Sequence, residues 1–220
     1  MKTSRCAAII LIPLLFSCTV LVSSTQHDII SVPHSDRNWT SRLPSPDRRY
    51  ALVGTTVRTD LPTVKCPACY SLEAKLWLEN TSSHARTLLL SPGSSASAGW
   101  SPDGSAFFVN DREGSNQESA YIYLTESLKK LDLDDRILAV DPGAERFVQG
   151  HAYFEVNRWQ GNGAVEVWLS GHTDEAPVQC FLLRYRVSRS GIAEKLSEDV
   201  RPVDRTFCGW IFSESTKHKR

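Results

Sequence analysis

The sequence predicts a mainly β protein made of propeller-like antiparallel blades, with an incomplete or divergent set of blades. Two observations predict this fold. A Ser-Pro-Asp turn that leads into a strand occurs twice, and several segments alternate apolar and polar residues with the period of two that marks half-buried strands. An antiparallel β-sandwich is the alternative fold that such segments allow.

The clearest turn is the Ser-Pro-Asp-Gly at residues 101–104, which follows a tryptophan and leads into the aromatic strand Ala106–Asn110. Proline presets φ for such a turn, aspartate bonds to its own backbone, and glycine accepts a positive φ. The same order of residues occurs 56 positions earlier, as Ser-Pro-Asp at residues 45–47 before the strand Tyr50–Val53. The two segments therefore predict two equivalent hairpins.

A strand with aromatic residues follows each turn after a polar stretch. These strands are Leu76–Leu78 and Tyr121–Tyr123, and Val165–Leu169 is typical of the same strand in a third unit whose opening turn is degenerate. Hairpin repeats of roughly 40–55 residues are typical of propeller blades. Three units are fewer than the about 4–8 blades of a closed ring, so we expect an open array or an oligomer that completes the ring.

The segment Gly99–Leu124 resembles one blade of the TolB/WD40-like (PD40-type) β-propeller repeats. In those repeats Trp-Ser-Pro-Asp-Gly precedes an inner strand, and an Ile-Tyr strand follows. The resemblance covers about 26 residues well, and the unit that begins at Ser45 matches only in part. It implies a blade-like building block and no particular reaction, because one fold carries many functions.

Residues 1–24 have the pattern of a secretory signal peptide, with Lys2 and Arg5 before the apolar run Cys6–Val22. The run has 17 residues, and a membrane-spanning helix needs about 20. We therefore expect cleavage, no membrane span afterwards, and a secreted or periplasmic location. A membrane anchor and a lipoprotein anchored through Cys18 are the alternatives.

The rest of the chain is expected to form one β domain. Residues 25–44 are polar and contain two prolines, so we interpret them as an N-terminal arm or linker. Residues 45–213 are predicted to form the single domain of hairpins, and residues 214–220 a polar basic tail. Between the hairpins, Ser127–Asp135 is expected to form a short helix.

The charge of the chain is balanced. Lys and Arg together number 25, as do Asp and Glu. Removal of residues 1–24 takes away Lys2 and Arg5 and no acidic side chain, which leaves a net charge of −2. The sequence has no basic stripe of the kind that nucleic-acid binding needs, so no nucleic-acid partner is expected.

Four cysteines follow the signal segment, and an even number in an exported protein favours disulfides. Three pairings are possible. We favour a local pair of Cys66 with Cys69 and a bridge from Cys180 to Cys208, which would stabilise the fold by about 3 kcal/mol in the chain-entropy model. The Cys-x-x-Cys pair also allows a redox role, but the alternating segment after it lacks the helix that would stabilise a thiolate.

Trp159 is the candidate binding residue. It lies with Arg158 and Asn162 in the polar, glycine-rich stretch 157–163, which is predicted as a loop between two strands. An exposed tryptophan on a loop can anchor a protein partner or stack on a carbohydrate. A ring folded back onto the sheet is the alternative.

No catalytic group, cofactor or metal site is predicted. Residues 99–103 depart from the Gly-x-Ser-x-Gly elbow because aspartate stands at the second glycine position, and the oxygen-rich run 111–116 lacks the spacing of an EF-hand. His84, His151 and His172 belong to no paired histidine motif. We therefore expect a non-catalytic binding or scaffold protein, with a thiol–disulfide oxidoreductase or a hydrolase assembled across blades as alternatives.

Overall fold

The structure is a computed structural model that describes residues 28–33, 35–61, 70–203 and 208. The predicted signal segment with Cys18, the Cys66–Cys69 pair and the predicted tail 214–220 lie outside the described residues. The described chain is mainly β, as predicted. Its strands are β1 (Ile29–Val32), β2 (Trp39–Pro44), β3 (Tyr50–Asp60), β4 (Tyr70–Asn80), β5 (Arg86–Leu90), β6 (Ser95–Trp100), β7 (Ala106–Arg112), β8 (Gln117–Leu124), β9 (Lys130–Asp132), β10 (His151–Gln160), β11 (Ala164–His172), β12 (Gln179–Ser188) and β13 (Ala193–Pro202).

Three short helical segments connect β9 to β10. They are α1 (Leu133–Val140), a 3-10 helix (Pro142–Ala144) and α2 (Glu145–Val148).

The strands form three successive antiparallel meanders of four strands each. The first meander, β2 to β5, is a separate sheet. The second meander, β6 to β9, and the third, β10 to β13, lie in one larger sheet, where β8 and β10 pair in parallel over two residue pairs. β1 pairs with β6 at the edge of that sheet. The described strands do not close into a ring, and an open propeller and a sandwich-like arrangement both fit them.

The second meander separates two apolar cores. Phe107 and Val109 of β7 pack with first-meander residues such as Leu76. Phe108 points to the opposite face and joins a core made with α1, α2 and the third meander. A strand covered on both faces needs a continuous apolar run, which Ala106–Val109 supplies.

Residues 25–44, interpreted above as an arm or linker, contain two strands of the fold. Ile30 and Val32 of β1 are 3% and 0% exposed, and β2 pairs with β3 along its whole length. Trp39 and Leu43 of β2 pack against the first core. The interpretation is therefore wrong for most of this segment, because a few apolar side chains in a polar stretch are enough to anchor two short strands.

Helix α1 begins several residues later than predicted. Its N-cap is Asp132, whose carboxylate accepts hydrogen bonds from the N–H groups of Asp134 and Asp135. Leu128 has a positive φ of 53°, and Leu131 pairs with β8 as part of β9. The predicted helix is therefore wrong at both ends, because a turn and a strand precede the better capping residue and the helix continues to Val140.

The third unit also has a different strand order from that expected. Val165–Leu169 lies in β11, the second strand of the third meander, whereas Leu76–Leu78 and Tyr121–Tyr123 lie in the third strands β4 and β8. The opening turn of the third meander is residues 161–163, which have no Ser-Pro-Asp order. The prediction that Val165–Leu169 is the equivalent strand is therefore wrong, because a strand's position after the opening turn, and not its aromatic residues, defines which strand it is.

Candidate functional site

Trp159, the candidate binding residue, lies in β10 and not on a loop. Its side chain is 5% exposed, packs in the core shared with the third meander, and donates a hydrogen bond from Nε1 to the carbonyl oxygen of Gly99 at 3.2 Å. β10 continues to Gln160, with a register shift between Val156 and Arg158. The expected exposed loop tryptophan is therefore wrong, because pairing with β11 carries the ring to the core side.

Arg158 and Asn162 lie apart from the Trp159 ring. Arg158 points to the opposite side of β10, where its Nη2 lies 2.7 Å from the carboxylate of Glu166. Asn162 is exposed in the turn between β10 and β11. The structure does not bring the three residues together on one surface, and their binding role stays a prediction.

The first meander has one side against the core and a second side, here called the outer face, towards the surface. Side chains alternate along β3 and β4, so Leu52 and Leu76 enter the core while Trp77 points outward. The registers with β2 and β5 align the outward side chains in rows. The main solvent-facing residues of the outer face are Arg42, Val57, Lys75, Trp77, Arg86 and Leu88.

Trp77 lies in the middle of the outer face. Its ring is partly buried, Nε1 donates a hydrogen bond to Oγ1 of Thr55 at 3.3 Å, and Nζ of Lys75 lies 5.7 Å from the ring centroid. Val57 and Leu88 are each 46% exposed. An indole fixed on a sheet beside exposed aliphatic side chains is the kind of rigid apolar surface that anchors protein interfaces.

A buried carboxylate positions two arginines beside Trp77. The Glu79 side chain is 6% exposed and accepts hydrogen bonds from Nε of Arg86 at 2.8 Å and from Nη2 of Arg42 at 3.2 Å. The bond from Arg86, followed by that from Arg42, holds the pKa of Glu79 below its usual range although burial opposes this. The arginine side chains are 45% and 46% exposed, so the outer face shows guanidinium groups above a hidden anion.

The side of the third meander that faces away from its core differs from the outer face of the first meander. Trp168 and Leu182 lie on that side and are only 3% and 2% exposed. Nε1 of Trp168 donates a hydrogen bond to Glu166 at 2.9 Å, and the guanidinium of Arg184 lies 5.1 Å from the Trp168 ring centroid. The indole of Trp168 is therefore inaccessible to a partner, unlike that of Trp77.

Two histidines and an aspartate converge where β10 begins and β11 ends; they are here called the histidine–aspartate group. His151 and His172 are direct cross-strand partners, with ring centroids 4.2 Å apart and 25° between the ring planes. Oδ1 of Asp174 lies 3.3 Å from Nδ1 of His151 and 3.9 Å from Nδ1 of His172. The side chains are 31%, 19% and 60% exposed in the order His151, His172 and Asp174, so water reaches the group.

Two glycines permit this close approach. A Cβ at Gly171 would lie 1.7 Å from the carbonyl oxygen of His151. A Cβ at Gly150 would lie 2.8 Å from the carbonyl oxygen of His172 and 3.4 Å from Cγ of Asp174. Any side chain at either glycine would therefore push the backbone segments apart and separate the three polar side chains.

Three carboxyl groups of the second meander and α1 have raised pKa values. Burial raises the pKa of Asp134 to about 7 and that of Asp111 to about 6, and it also raises the pKa of Glu118. Asp134 accepts the N–H of Ala120 at 3.1 Å, and Oδ1 of Asp111 is buried with no hydrogen-bond partner among the described residues. The hydroxyl bonded to Asp134 belongs to Ser119, which is 6% exposed. Burial therefore favours the neutral form of all three carboxyl groups.

The predicted disulfide between Cys180 and Cys208 is confirmed, with the Cα atoms 5.6 Å apart. Both cysteines are buried, and the bond ties β12 to the chain beyond β13. Disulfides are typical of proteins that fold in oxidising compartments. Within the described ranges, no helix has the length and apolar character needed to cross a membrane.

Neither the outer face nor the histidine–aspartate group was predicted, although the sequence contains a signal for each. Trp77 alternates with Leu76 and Leu78, which already places it on the side opposite the leucines. His151 and His172 lie 11 and 10 residues from Asn162 in the opening turn. Counting outward from that turn, with one register shift, brings the two histidines opposite each other.

Comparisons with known proteins leave the family open. No protein-family profile matches the chain, and no curated protein sequence matches it. Among solved structures, dipeptidyl peptidase 4 of Porphyromonas gingivalis is similar to 79% of this chain, with a TM-score of 0.31 and 12% sequence identity. The chain spans 33% of that structure. A TM-score this low supports no argument about activity, and no family profile supports the resemblance of Gly99–Leu124 to TolB/WD40-like repeats.

Proposed function

We propose that the protein is an exported, non-catalytic binding protein that holds another protein on the outer face of its first meander. In this proposal the three meanders are an open array of TolB/WD40-like blades. The observation that carries the proposal is the surface around Trp77. Neighbouring blades of a propeller pack face to face, but on this face Val57 and Leu88 are each 46% exposed.

The chemistry of the outer face favours a protein with an apolar patch and an acidic rim. Trp77 and its aliphatic neighbours supply an apolar centre, and tryptophan and arginine are enriched among the residues that dominate interface affinity. Arg42 and Arg86 lie above the buried Glu79, so an approaching carboxylate meets two guanidinium groups, which bind carboxylates strongly. A carbohydrate fits less well, because Lys75 lies close to the Trp77 ring.

Export is supported by two independent observations. The Cys180–Cys208 disulfide suits an oxidising compartment, and residues 1–24 have the composition of a secretory signal. Nucleic acid is not proposed as a partner, because acidic and basic side chains are equal in number and the sequence has no basic stripe.

A photoreactive residue on the outer face tests the proposal in the organism that makes the protein. We expect p-benzoylphenylalanine in place of Leu88 to crosslink one other protein in the compartment to which the chain is exported. The same replacement of Arg186, which is exposed on the third meander, is the control and should not crosslink that protein.

The crosslinked protein is then purified and titrated against the chain. We expect Trp77→Ala to weaken its binding about 30-fold, as for an interface residue worth about 2 kcal/mol. Ile192→Ala, which removes an aliphatic side chain that is 72% exposed elsewhere, should leave the affinity unchanged. Equal crosslinking at both positions, an unaffected Trp77→Ala variant, crosslinking only to a second copy, or Trp77-dependent binding of glycans alone would each overturn the proposal.

A further inference from the structure

We propose that His151, His172 and Asp174 form a binding site for a divalent transition metal, and that Zn²⁺ is the ion that suits their donors best. The site lies at one end of the third meander and is independent of the function proposed for the first meander. Its three ligands would come from the start of β10, the end of β11 and the loop that follows β11.

The donor set carries the choice of metal. Two imidazole nitrogens and one carboxylate oxygen are the ligands of open zinc sites, in which three protein groups leave a fourth position for water. The same nitrogen and oxygen donors also accept Co²⁺, Ni²⁺ and Cu²⁺. Ca²⁺ and Mg²⁺ prefer ligand sets made of oxygen alone, so they are not expected here.

The distances are close to those of a metal site. One ligand atom from each of the three residues lies within 4.8 Å of the other two. Zinc bonds of about 2.0–2.1 Å in a tetrahedron place ligand atoms roughly 3.4 Å apart. The His151–Asp174 separation of 3.3 Å already matches, and the His172–Asp174 separation of 3.9 Å needs a small rotation of the exposed Asp174 side chain.

The backbone around the site is fixed before any metal binds. All of β11 from Ala164 to His172 pairs with β10, and His172 is the direct partner of His151. Direct cross-strand neighbours keep their Cβ atoms about 4.5–5.5 Å apart. Gly150 and Gly171 leave no side chain between the segments. One nitrogen of each histidine thus lies within 4.8 Å of the other, and because the two rings are stacked, both must rotate to direct these nitrogens at one ion. The exposed side of the group leaves room for water at the fourth position.

The position of the site indicates what bound metal would do to the fold. His172 pairs with His151 on one side and with Cys180 on the other, so the site adjoins the Cys180–Cys208 disulfide. A metal ion would join the end of the β10–β11 hairpin to the loop that contains Asp174. The disulfide joins the neighbouring start of β12 to Cys208, so both links lie in the same region. Metal binding should therefore stabilise the third meander.

Calorimetry on the full chain, expressed without a tag and treated with a chelator, tests the site with Zn²⁺ alone. We expect one equivalent of Zn²⁺ to bind. His151→Ala and Asp174→Asn should each weaken binding by at least about 100-fold, because even residues that only support a ligand contribute about 10–100-fold. His84→Ala is the matched control, since His84 is 79% exposed on the first meander and should leave the affinity unchanged.

Thermal unfolding provides a second measurement that does not depend on one variant being well folded. At a Zn²⁺ concentration about 100-fold above Kd, we expect the Tm of the parent chain to rise by about 5–10 °C. Asp174→Asn, which alters an exposed side chain, should keep its metal-free Tm and lose the rise. The proposal is overturned if Zn²⁺ does not saturate, if it does not raise the Tm, or if His151→Ala and His84→Ala bind it equally well.

Discussion

The two Ser-Pro-Asp turns have nearly the same internal geometry. In the turn at residues 45–50, the serine hydroxyl lies 2.6 Å from the aspartate carboxylate and accepts the N–H of Tyr50 at 3.1 Å. In the turn at residues 101–106, the corresponding distances are 2.7 Å and 3.1 Å, the second to Ala106. Three residue types in the same order therefore specify the same local structure in two different meanders.

The surroundings of the two turns differ. Asp103 is bound by Arg189 of the third meander at 2.9 Å, and the Arg189 side chain is 20% exposed. Asp47 is bound instead by its neighbour Arg49, which is 59% exposed and also reaches Glu126 of the second meander. The motif thus determines the shape of the turn, whereas distant residues determine how strongly each turn holds the next meander.

The largest expected loss of stability concerns the two serines. Ser101→Ala leaves the N–H of Ala106, which is fully buried, without its acceptor, and an unsatisfied buried group costs about 2 kcal/mol. Ser45→Ala leaves the N–H of the partly exposed Tyr50, which water can reach, so we expect a loss of about 1 kcal/mol. Urea unfolding of the two variants measures both values, and equal losses would contradict the importance given to burial.

The next largest expected loss of stability concerns the arginines that bind the turn aspartates. Arg189→Met removes three hydrogen-bonding contacts to Asp103 and Ser105 and the guanidinium that lies 5.2 Å from the centroid of the Trp159 ring. We expect it to lower the free energy of unfolding by about 1.5 kcal/mol, the lower end for bonds to charged groups, because Asp103 is partly exposed. Arg49→Met is expected to produce no measurable change, since its ion pairs are exposed.

Double-mutant cycles separate the ion pair from other effects of the arginine. The cycle of Arg189→Met with Asp103→Asn should show most of the loss as coupling energy, and the cycle of Arg49→Met with Asp47→Asn should show none. Coupling of equal size in the two cycles would mean that exposure does not distinguish the turns.

A smaller expected effect concerns the left-handed residue of each turn. Gly104 has a φ of 71° and Arg48 a φ of 59°, a region that costs other L-residues about 1 kcal/mol. We expect Gly104→Ala to lose about 1 kcal/mol, with its Cβ also 3.3 Å from Cδ of Pro46. Arg48→Gly should gain about 0.5 kcal/mol, less than the strain removed, because glycine also loosens the unfolded chain. Thermal unfolding gives both signs, and a loss for Arg48→Gly would show that its side chain outweighs the strain.

Local sequence chemistry was sufficient to predict much of the fold. The Ser-Pro-Asp turns, the alternation of Leu76 and Leu78 with Trp77, and the Cys180–Cys208 bridge each depend on residues near one another in sequence or on a count of cysteines. The sequence-based predictions failed where residues distant in sequence determine the local structure. β1 is a strand because the small residues Ala96 and Ala98 of β6 accept Ile30 and Val32 against them.

The candidate sites were harder to predict for the same reason. Trp159 follows a register shift in β10, and that shift changes which side of the strand its ring faces. The ring therefore lies in the core and not on the predicted loop. His151 and His172 meet only because β10 and β11 pair to their far ends. The outer face around Trp77 becomes a candidate site only when it is known which side of the first meander the second meander covers.

Both turn aspartates have lowered pKa values, but different neighbouring groups lower them. Burial acts to raise the pKa of Asp103, but hydrogen bonds from Arg189 and Ser101 outweigh it and hold that pKa well below its usual range. The hydrogen bond from Ser45 lowers the pKa of Asp47, and the neighbouring arginine adds to it. A carboxylate with a lowered folded-state pKa contributes stability above its unfolded pKa of about 3.9, and this stability is lost as the pH falls.

The smallest expected effect follows from this linkage. Between pH 5 and pH 4 the unfolded aspartate takes up protons while the folded Asp103 does not, so Asp103 should lose about 0.3 kcal/mol of stabilisation. Asp47, whose pKa is also lowered, should lose no more than this. Urea unfolding of Asp103→Asn and Asp47→Asn against the parent isolates these losses from Asp134 and Asp111, whose raised pKa values act in the opposite direction. Below pH 4 the two variants should separate, because Asp103 stays ionised to lower pH; curves that remain parallel would contradict the stronger support given to it by Arg189.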